Sequence, residues 1–298
     1  MTGRELYSQL SDQVMNLELR LQKIETVLGR IENRQLRDRE EKGYASQSLA
    51  EWEFQVFSQS GQDGIIQYLI RNVKVPNTKF IEFGVQNYRE ANTRFLLMNN
   101  NWSGLIMDGD ESNIEAIRKD PIYWRHDLKA DCCFITAENI NKILHDRGFV
   151  GDIGLLSIDI DGNDYWVWQA LEIVKPAIVI CEYNSRLGDT EALVVPHQPD
   201  FCISKAHPSW LYYGASIQAL CLLASRKGYA FLGCNAFGND AFFVRRDLMT
   251  SKLCEVSPEM GFVSGKFLQA RDDSGKLVRL SPQEEKGILS SLNFVRVS

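Results

Sequence analysis

Between residues 79 and 247, short apolar runs alternate with segments of helical pattern, and this alternation constrains the fold more than any other feature. The runs are continuously apolar, as strands buried on both faces are. Such alternation predicts parallel strands with helices on both faces, an α/β doubly wound, mostly parallel seven-stranded sheet. The last two runs are separated by a short loop and predict an antiparallel hairpin at one edge. The predicted strands are 79–84, 103–110, 122–127, 153–161, 177–184, 229–235 and 240–247.

An acidic side chain lies at or beside the end of each of the first five predicted strands. In an open α/β sheet, ligands sit outside the carboxyl ends of the strands, so these carboxylates predict a site for ribose hydroxyls, amines or a metal. Gly84, after the first strand, lets a ligand approach the backbone closely. No G-x-G-x-x-G or G-x-x-x-x-G-K-[ST] loop follows, which disfavours NAD and nucleoside triphosphates. The five acids are Glu82, Asp108, Asp127, Asp159 and Glu182.

Two pairs of oxygen-bearing side chains predict a metal site. Asp159 and Asp161 are two residues apart, as are Glu182 and Asn184, so the members of each pair point to the same side of a strand. The two strands are neighbours in the usual order of such sheets. Hard divalent cations such as Mg²⁺ prefer oxygen ligands, so these four side chains are the predicted ligands.

A turn is the alternative interpretation of the stretch LLSIDIDGNDYW (155–166). In it Asp161, Gly162 and Asn163 form the turn and Asp164 caps the following helix. The stretch is not a calcium loop of the form D-x-[DN]-x-[DN]-G, because Gly162 falls at the fourth position. Metal binding and the turn both remain open from the residues alone.

Residues 1–42 differ from the rest of the chain and predict a coiled-coil oligomerisation helix, ahead of a domain over 43–298. Apolar residues alternate at three- and four-residue spacing over four heptads. Arg20 and Glu25 fall at positions that pair between parallel chains, and the number of chains stays open. Packing of this helix on its own domain is the alternative. The predicted seam comprises Tyr7, Leu10, Val14, Leu17, Leu21, Ile24, Leu28 and Ile31.

Charge and composition limit the classes of partner and the cellular location that we expect for the chain. The chain of 298 residues has a net charge of −6, which argues against nucleic acid as the main partner. No window approaches 18 apolar residues, so no membrane span is expected. The amino terminus lacks the layout of a signal peptide. Seven scattered cysteines without a C-x-x-C pair are typical of reduced thiols, and we expect a cytoplasmic protein.

The order of motifs resembles that of class I S-adenosylmethionine-dependent methyltransferases. It is similar, more closely, to the FkbM-like proteins found among bacterial surface-polysaccharide genes. The resemblance runs from about residue 57 to 246 and implies a Rossmann-like methyltransferase fold. It also implies an O-methyltransferase acting on a sugar or glycan hydroxyl. The motifs are FIEFGV, NTRFLL, WSGLIMDGD, LLSIDIDGNDYW, IVICEYN and NDAFFVRRD.

The resemblance also implies roles for individual residues. Glu82 and Gly84 match the motif beside the methionine part of the cofactor, and Asp108 matches the ribose-binding acid. Asp127 matches the residue near the adenine, and Asp159 the residue that faces methyl transfer. The whole implied cofactor-binding set is Gln59, Asp63, Glu82, Gly84, Asn92, Asp108 and Asp127.

The chain departs from the class pattern at Gln86 and Tyr88, where glycines are common. We expect Asn87 to supply the left-handed conformation instead. In the absence of a metal, His197 and His207 of the long segment 185–212 are candidates for the general base. The rival hypothesis is a catalytically inactive methyltransferase-like scaffold that oligomerises through its coiled coil.

Overall fold

A computed structural model of the chain describes residues 3–44, 46 and 48–298. Its strands are β1 (Lys79–Phe83), β2 (Ser103–Asp108), β3 (Leu128–Cys132), β4 (Gly151–Ile158), β5 (Val174–Glu182), β6 (Leu193–Val194), β7 (Tyr229–Cys234), β8 (Asp240–Arg245) and β9 (Val295–Arg296). Its helices are α1 (Gly3–Glu41), α2 (Gln62–Asn72), α3 (Arg94–Asn100), α4 (Glu111–Lys119), α5 (Pro121–Arg125), α6 (Ile140–Asp146), α7 (Asp164–Ala170), α8 (Ile203–Ala206), α9 (Ile217–Arg226), α10 (Pro258–Gly261) and α11 (Pro282–Ser290).

The main sheet has the order β3-β2-β1-β4-β5-β8-β7. The first five strands in this order run parallel, and β8 runs antiparallel to both β5 and β7. This arrangement confirms the predicted doubly wound, Rossmann-like methyltransferase fold. The predicted hairpin of the last two strands is also confirmed. Because β8 is antiparallel, its first residues lie beside the last residues of β5, with Asp240 opposite Glu182.

The sheet separates two apolar layers. Neighbouring residues of a strand point to opposite faces, so Phe80 belongs to one layer and Ile81 to the other, both fully buried. The first layer takes Phe95 from α3, and the second takes Trp168 from α7. Burial on both faces explains why the strands are continuously apolar in sequence.

The prediction of a strand over 122–127 is wrong. Pro121 occupies the first helical position of α5, with Asp120 as its N-cap, a combination that favours a helix start. The strand β3 begins only at Leu128, so Asp127 precedes it instead of ending it. Its carbonyl accepts a hydrogen bond from the Gly104 amide, near the start of β2. Asp127 is therefore exposed at the edge of the sheet opposite the carboxyl ends, and its predicted place near the adenine is wrong.

Helix α1 packs on its own domain through one side only. Thr26 and Leu36 are buried there. Gly29 makes the closest approach, since a Cβ at this position would lie 2.3 Å from Val56 Cγ2. The predicted seam lies on another side, where its eight residues are 47–77 % exposed. In the described part of the chain, no helix combines the length and apolar character that crossing a membrane requires.

Candidate active site

A cavity of about 470 Å³ opens at the carboxyl ends of the parallel strands, and we call it the main cavity. Its wall includes residues at the ends of β2 and β5 and residues directly after β1, β3 and β4, as expected for this class of sheet. Loops from other parts of the chain close the opposite side, with Phe201, Phe237 and Phe267 among them. No sequence motif predicts a site role for these three aromatic side chains. The predicted site residues that line the cavity are Gln59, Gly84, Asp108, Asp159, Asp161 and Glu182.

Asp108 ends β2 at the wall of the main cavity. Its Oδ2 accepts a hydrogen bond from the Gln86 amide at 2.7 Å. Its Oδ1 accepts from the Asp110 amide at 2.9 Å and from Asn113 Nδ2 at 3.0 Å. A carboxylate offers about four lone-pair sites, and three are occupied here, so Oδ2 keeps acceptor capacity for one ligand hydroxyl. The protein fixes the orientation of this carboxylate before any ligand binds.

The loop after β1 adopts left-handed backbone at Gln86 (φ 47°) and Tyr88 (φ 61°). These are the two positions where the resemblance led us to expect glycine, and the expectation that Asn87 would take this conformation is wrong. Such backbone costs roughly 1–2 kcal/mol per residue outside glycine. Burial of Tyr88 and its hydroxyl contact with Thr93 Oγ1 at 2.8 Å offset this cost. The loop therefore keeps its turn without the glycines.

Glu82 borders a smaller cavity of about 80 Å³ that adjoins the main one. Its carboxylate accepts hydrogen bonds from the amides of Asn92 and Thr93 at 2.8 and 3.0 Å. Asp240 lines the same cavity and accepts from Gln62 Nε2 at 2.6 Å. Asp240 is not among the predicted site residues, because those follow the ends of parallel strands, whereas β8 is antiparallel and brings its first residue to this edge.

Three carboxylates crowd together at the ends of β4 and β5. Oxygen atoms of Asp159, Asp161 and Glu182 all lie within 4.8 Å of one another. Burial, followed by the charge of Asp161, raises the pKa of Asp159 well above its ordinary value. Burial, followed by Asp159, does the same to the pKa of Glu182. Glu182 Oε2 is buried without a hydrogen-bond partner among the described residues. The cluster therefore offers the oxygen ligands that a divalent cation prefers, and one of these oxygens has no competing hydrogen bond.

Asn184 is not available as the fourth ligand. Its Nδ2 donates to the carbonyls of Leu211 and Tyr213, and its Oδ1 accepts from the Arg186 amide at 3.1 Å. The side chain is fully buried and holds the segment after α8, away from the main cavity. The prediction that Asn184 binds the metal is therefore wrong.

Asp164 holds the turn that presents Asp161. Its two oxygens accept hydrogen bonds from the amides of Ile160 at 2.8 Å and Gly162 at 2.9 Å. The N-cap of α7 is Asn163, so the predicted cap role of Asp164 is wrong. Asp161 takes left-handed backbone in this turn (φ 56°). The turn and the carboxylate cluster thus coexist and are not alternatives.

Three further predicted site residues lie outside the main cavity. Asp63 Oδ2 accepts hydrogen bonds from the amides of residues 56–58, which fixes the lead-in segment. His197 lies 3.4 Å from Glu138 Oε1, and His207 Nδ1 contacts Ser209 Oγ at 2.8 Å. None of the three lines the main cavity. Asp63 is structural, and the two histidines are not positioned to act as the general base.

The buried carboxylate of Glu82 predicts a pH dependence of stability. Burial raises the pKa of Glu82 from 4.5 to about 7, so the folded chain binds more protons than the unfolded chain between these values. We expect the free energy of unfolding to fall as pH rises through this window, by up to about 1.4 kcal/mol per pH unit for one group. Urea unfolding from pH 4.5 to 7.5 measures the slope.

Glu82→Gln is the variant that tests this assignment, because glutamine at position 82 does not titrate. Asp164 and Asp240, whose pKa values burial raises to about 6, still titrate in it. The decline between pH 6 and 7 should therefore become shallower without vanishing. An unchanged slope in Glu82→Gln would contradict the assignment.

Comparisons with known proteins yield structural similarity only. No protein-family description matches the sequence, and no curated protein matches it. The N-terminal domain of EvdMO1 with SAH bound has 13 % sequence identity and a TM-score of 0.41, covering 72 % of this chain and 96 % of that one. An O-methyltransferase from Bacillus cereus in complex with SAH has 11 % identity and a TM-score of 0.38, covering 61 % and 78 %. A putative O-methyltransferase from Klebsiella pneumoniae has 14 % identity and a TM-score of 0.39, covering 65 % and 86 %.

Proposed function

We propose that this chain is an S-adenosylmethionine-dependent O-methyltransferase that acts on a sugar or sugar-derived hydroxyl in bacterial polysaccharide biosynthesis. The observation that carries the proposal is the main cavity, lined by Asp108 at the end of β2 and by Asp159 at the end of β4. Its volume of about 470 Å³ is that of a small-molecule site. Asp108 would bind the ribose of the cofactor, while the smaller cavity beside Glu82 and Asp240 would take its cationic ammonium group.

Binding of the cofactor tests this proposal directly. We expect saturable binding of S-adenosylmethionine in a calorimetric titration of the full chain. The Asp108→Asn variant should bind about 10- to 100-fold more weakly, because hydrogen bonds to a charged group contribute about 1.5–3 kcal/mol. The control is Asp110→Asn, which alters the exposed cap of α4 outside the main cavity. Absence of saturable binding in the wild type would favour the inactive scaffold instead.

The chemistry that we propose needs an acceptor hydroxyl held in line with the methyl group and relieved of its proton. S-adenosylmethionine supplies the electrophilic methyl group when bound. Asp159 is the group that we assign to proton removal, because it lines the main cavity and because burial, followed by the charge of Asp161, raises its pKa and so makes its ionised carboxylate a stronger base. The aromatic faces of Phe201, Phe237 and Phe267 suit the apolar faces of a sugar ring.

We further propose that a divalent cation such as Mg²⁺ assists the reaction. Asp159, Asp161 and Glu182 would hold it, and the unpartnered Oε2 of Glu182 supports this assignment. When bound, such a cation lowers the pKa of a coordinated hydroxyl. The same cation would offset the repulsion between carboxylates that otherwise favours their protonation.

Self-association through α1 is the third part of the proposal. The exposed seam would pair with that of a second copy, since the opposite side of the helix is already packed on its own domain. One flank of the seam carries Glu18, Glu25 and Glu32, and the other carries Arg20. Antiparallel chains would bring the acidic flanks together, whereas parallel chains place Arg20 of one copy beside Glu25 of the other. Charge therefore favours a parallel arrangement.

Substitution within the seam tests self-association. The wild type should have a mass at least twice that of the 34.0 kDa chain in light scattering. The double variant Leu21→Glu/Ile24→Glu should be monomeric, because it places charge at two adjacent core positions. Lys23→Glu, on the same helix outside the seam, should keep the wild-type mass. A wild type that stays monomeric at tens of micromolar would contradict the proposal.

A further inference from the structure

Where α1 meets α2, four arginines surround a second cavity of about 360 Å³. Arg30, Arg34 and Arg37 come from α1 and Arg71 from α2, and we call this cavity the arginine cleft. It shares no lining residue with the main cavity. Neither the resemblance nor the proposed methyl transfer gives it a role.

The arginine cleft is electropositive in a chain whose net charge is −6. Arg30, Arg34 and Arg37 recur at spacings of four and three residues, so they share one side of α1, where like charges repel. No carboxylate lines the cleft among the described residues. The charge of Arg37 is balanced only by an exposed ion pair with Glu41 at 3.6 Å. Such surface ion pairs contribute little to stability.

Arg71 carries the strongest indication of a missing ligand. Its side chain is 22 % exposed, and its Nη1 donates to Asn33 Oδ1 at 2.6 Å. Its Nε lies 3.5 Å from Glu40 Oε2, but neither Nε nor Nη2 makes a hydrogen bond within the described part of the chain. Glu40 is shared with Lys252, at 2.7 Å. Unpartnered donors are costly, and Arg71 lines the cleft, so an oxyanion bound there would give its guanidinium group the acceptors that Asn33 and Glu40 supply only in part.

We propose that the arginine cleft binds a diphosphate group. Guanidinium groups match phosphate oxygens in pairs, with charge-assisted hydrogen bonds. Positively charged side chains line two walls of the cleft, with Arg34 and Arg37 on the α1 wall and Arg71 on the α2 wall. Four guanidinium groups line the cleft, and two linked phosphates offer them more oxygens and more negative charge than a single phosphate does. This inference does not depend on the proposed methyltransferase activity, because the two cavities are separate.

Calorimetric titration with inorganic pyrophosphate at constant ionic strength tests the inference. We expect saturable binding that is at least about tenfold weaker in Arg34→Gln/Arg37→Gln, since each exposed arginine removed takes charge-assisted hydrogen bonds with it. The control Lys23→Gln/Lys42→Gln removes the same charge from exposed positions outside the cleft and should bind like the wild type. Orthophosphate should bind more weakly than pyrophosphate.

Three results would overturn the inference. They are no saturable pyrophosphate binding, equal losses in the two double variants, and orthophosphate binding as tight as that of pyrophosphate. The substituted arginines of α1 are exposed, so the variants should fold. Binding of S-adenosylmethionine should be unchanged in both double variants, which separates this test from that of the proposed function.

Discussion

Replacing Gly84 by alanine is expected to destabilise the domain severely and to abolish cofactor binding. Gly84 has a φ of 73°, and a Cβ at this position would lie 1.6 Å from the carbonyl oxygen of Asp159. That oxygen belongs to backbone, so the end of β1 would have to separate from the end of β4. Losses above about 4 kcal/mol arise from overlaps of this kind, and we expect the melting temperature to fall by about 10 °C or more.

Gly109 provides the matched control for this substitution. It also lines the main cavity, but a Cβ there would lie 3.5 Å from the nearest atom, Phe134 Cδ2. Gly109→Ala should therefore melt within about 2 °C of the wild type, since surface changes without overlap are usually within about 0.5 kcal/mol. Thermal unfolding followed by circular dichroism compares the two. Similar melting of Gly84→Ala and wild type would refute the close-packing argument.

The strands of the sheet could be predicted because their signal is local. Continuous apolar runs reflect burial on both faces, which the sequence displays directly. The prediction for 122–127 was wrong because Ile122, Tyr123 and Trp124 favour strands, whereas Pro121 at the first helical position and Asp120 at the N-cap start a helix. One misplaced strand was enough to move Asp127 from one edge of the sheet to the other.

The candidate site could be predicted only where strand direction was known. Asp108, Asp159 and Glu182 end parallel strands, and all three line the main cavity. Asp240 begins an antiparallel strand, so no rule about strand ends could select it. The aromatic wall comes from residues far apart in the chain, such as Phe201 and Phe267, and only tertiary packing brings it together.

Hydrogen-bond competition explains two of the site predictions that proved wrong. Asp63 and Asn184 have the chemistry of ligands, but backbone groups bind Oδ2 of Asp63 and both polar atoms of Asn184. Buried backbone donors and acceptors must find partners, and a nearby Asp or Asn is a ready one. Sequence alone does not reveal whether such a side chain serves the backbone or a ligand.

Asp159→Asn is expected to abolish binding of a divalent cation and to lower methyl transfer by about 10²- to 10⁴-fold, the range of a lost general base. The same change should leave the fold as stable as the wild type at neutral pH, or more so. It removes one of three crowded carboxylates whose repulsion opposes ionisation. Loss of function together with retained stability is typical of a residue kept for chemistry.

Titration with Mn²⁺, monitored by electron paramagnetic resonance, measures the affinity for the cation. Incubation with labelled S-adenosylmethionine and a panel of sugars measures the rate of methyl transfer. Asp110→Asn serves as control because Asp110 caps α4 away from the cluster. Glu182→Gln should lose the cation as Asp159→Asn does, since both residues supply oxygens to one cluster. If Asp159→Asn binds Mn²⁺ like the wild type, the cluster is not a metal site. If Asp159→Asn loses methyl transfer but still binds Mn²⁺, Asp159 acts only as the general base. Proton removal needs its carboxylate whether or not a cation is bound.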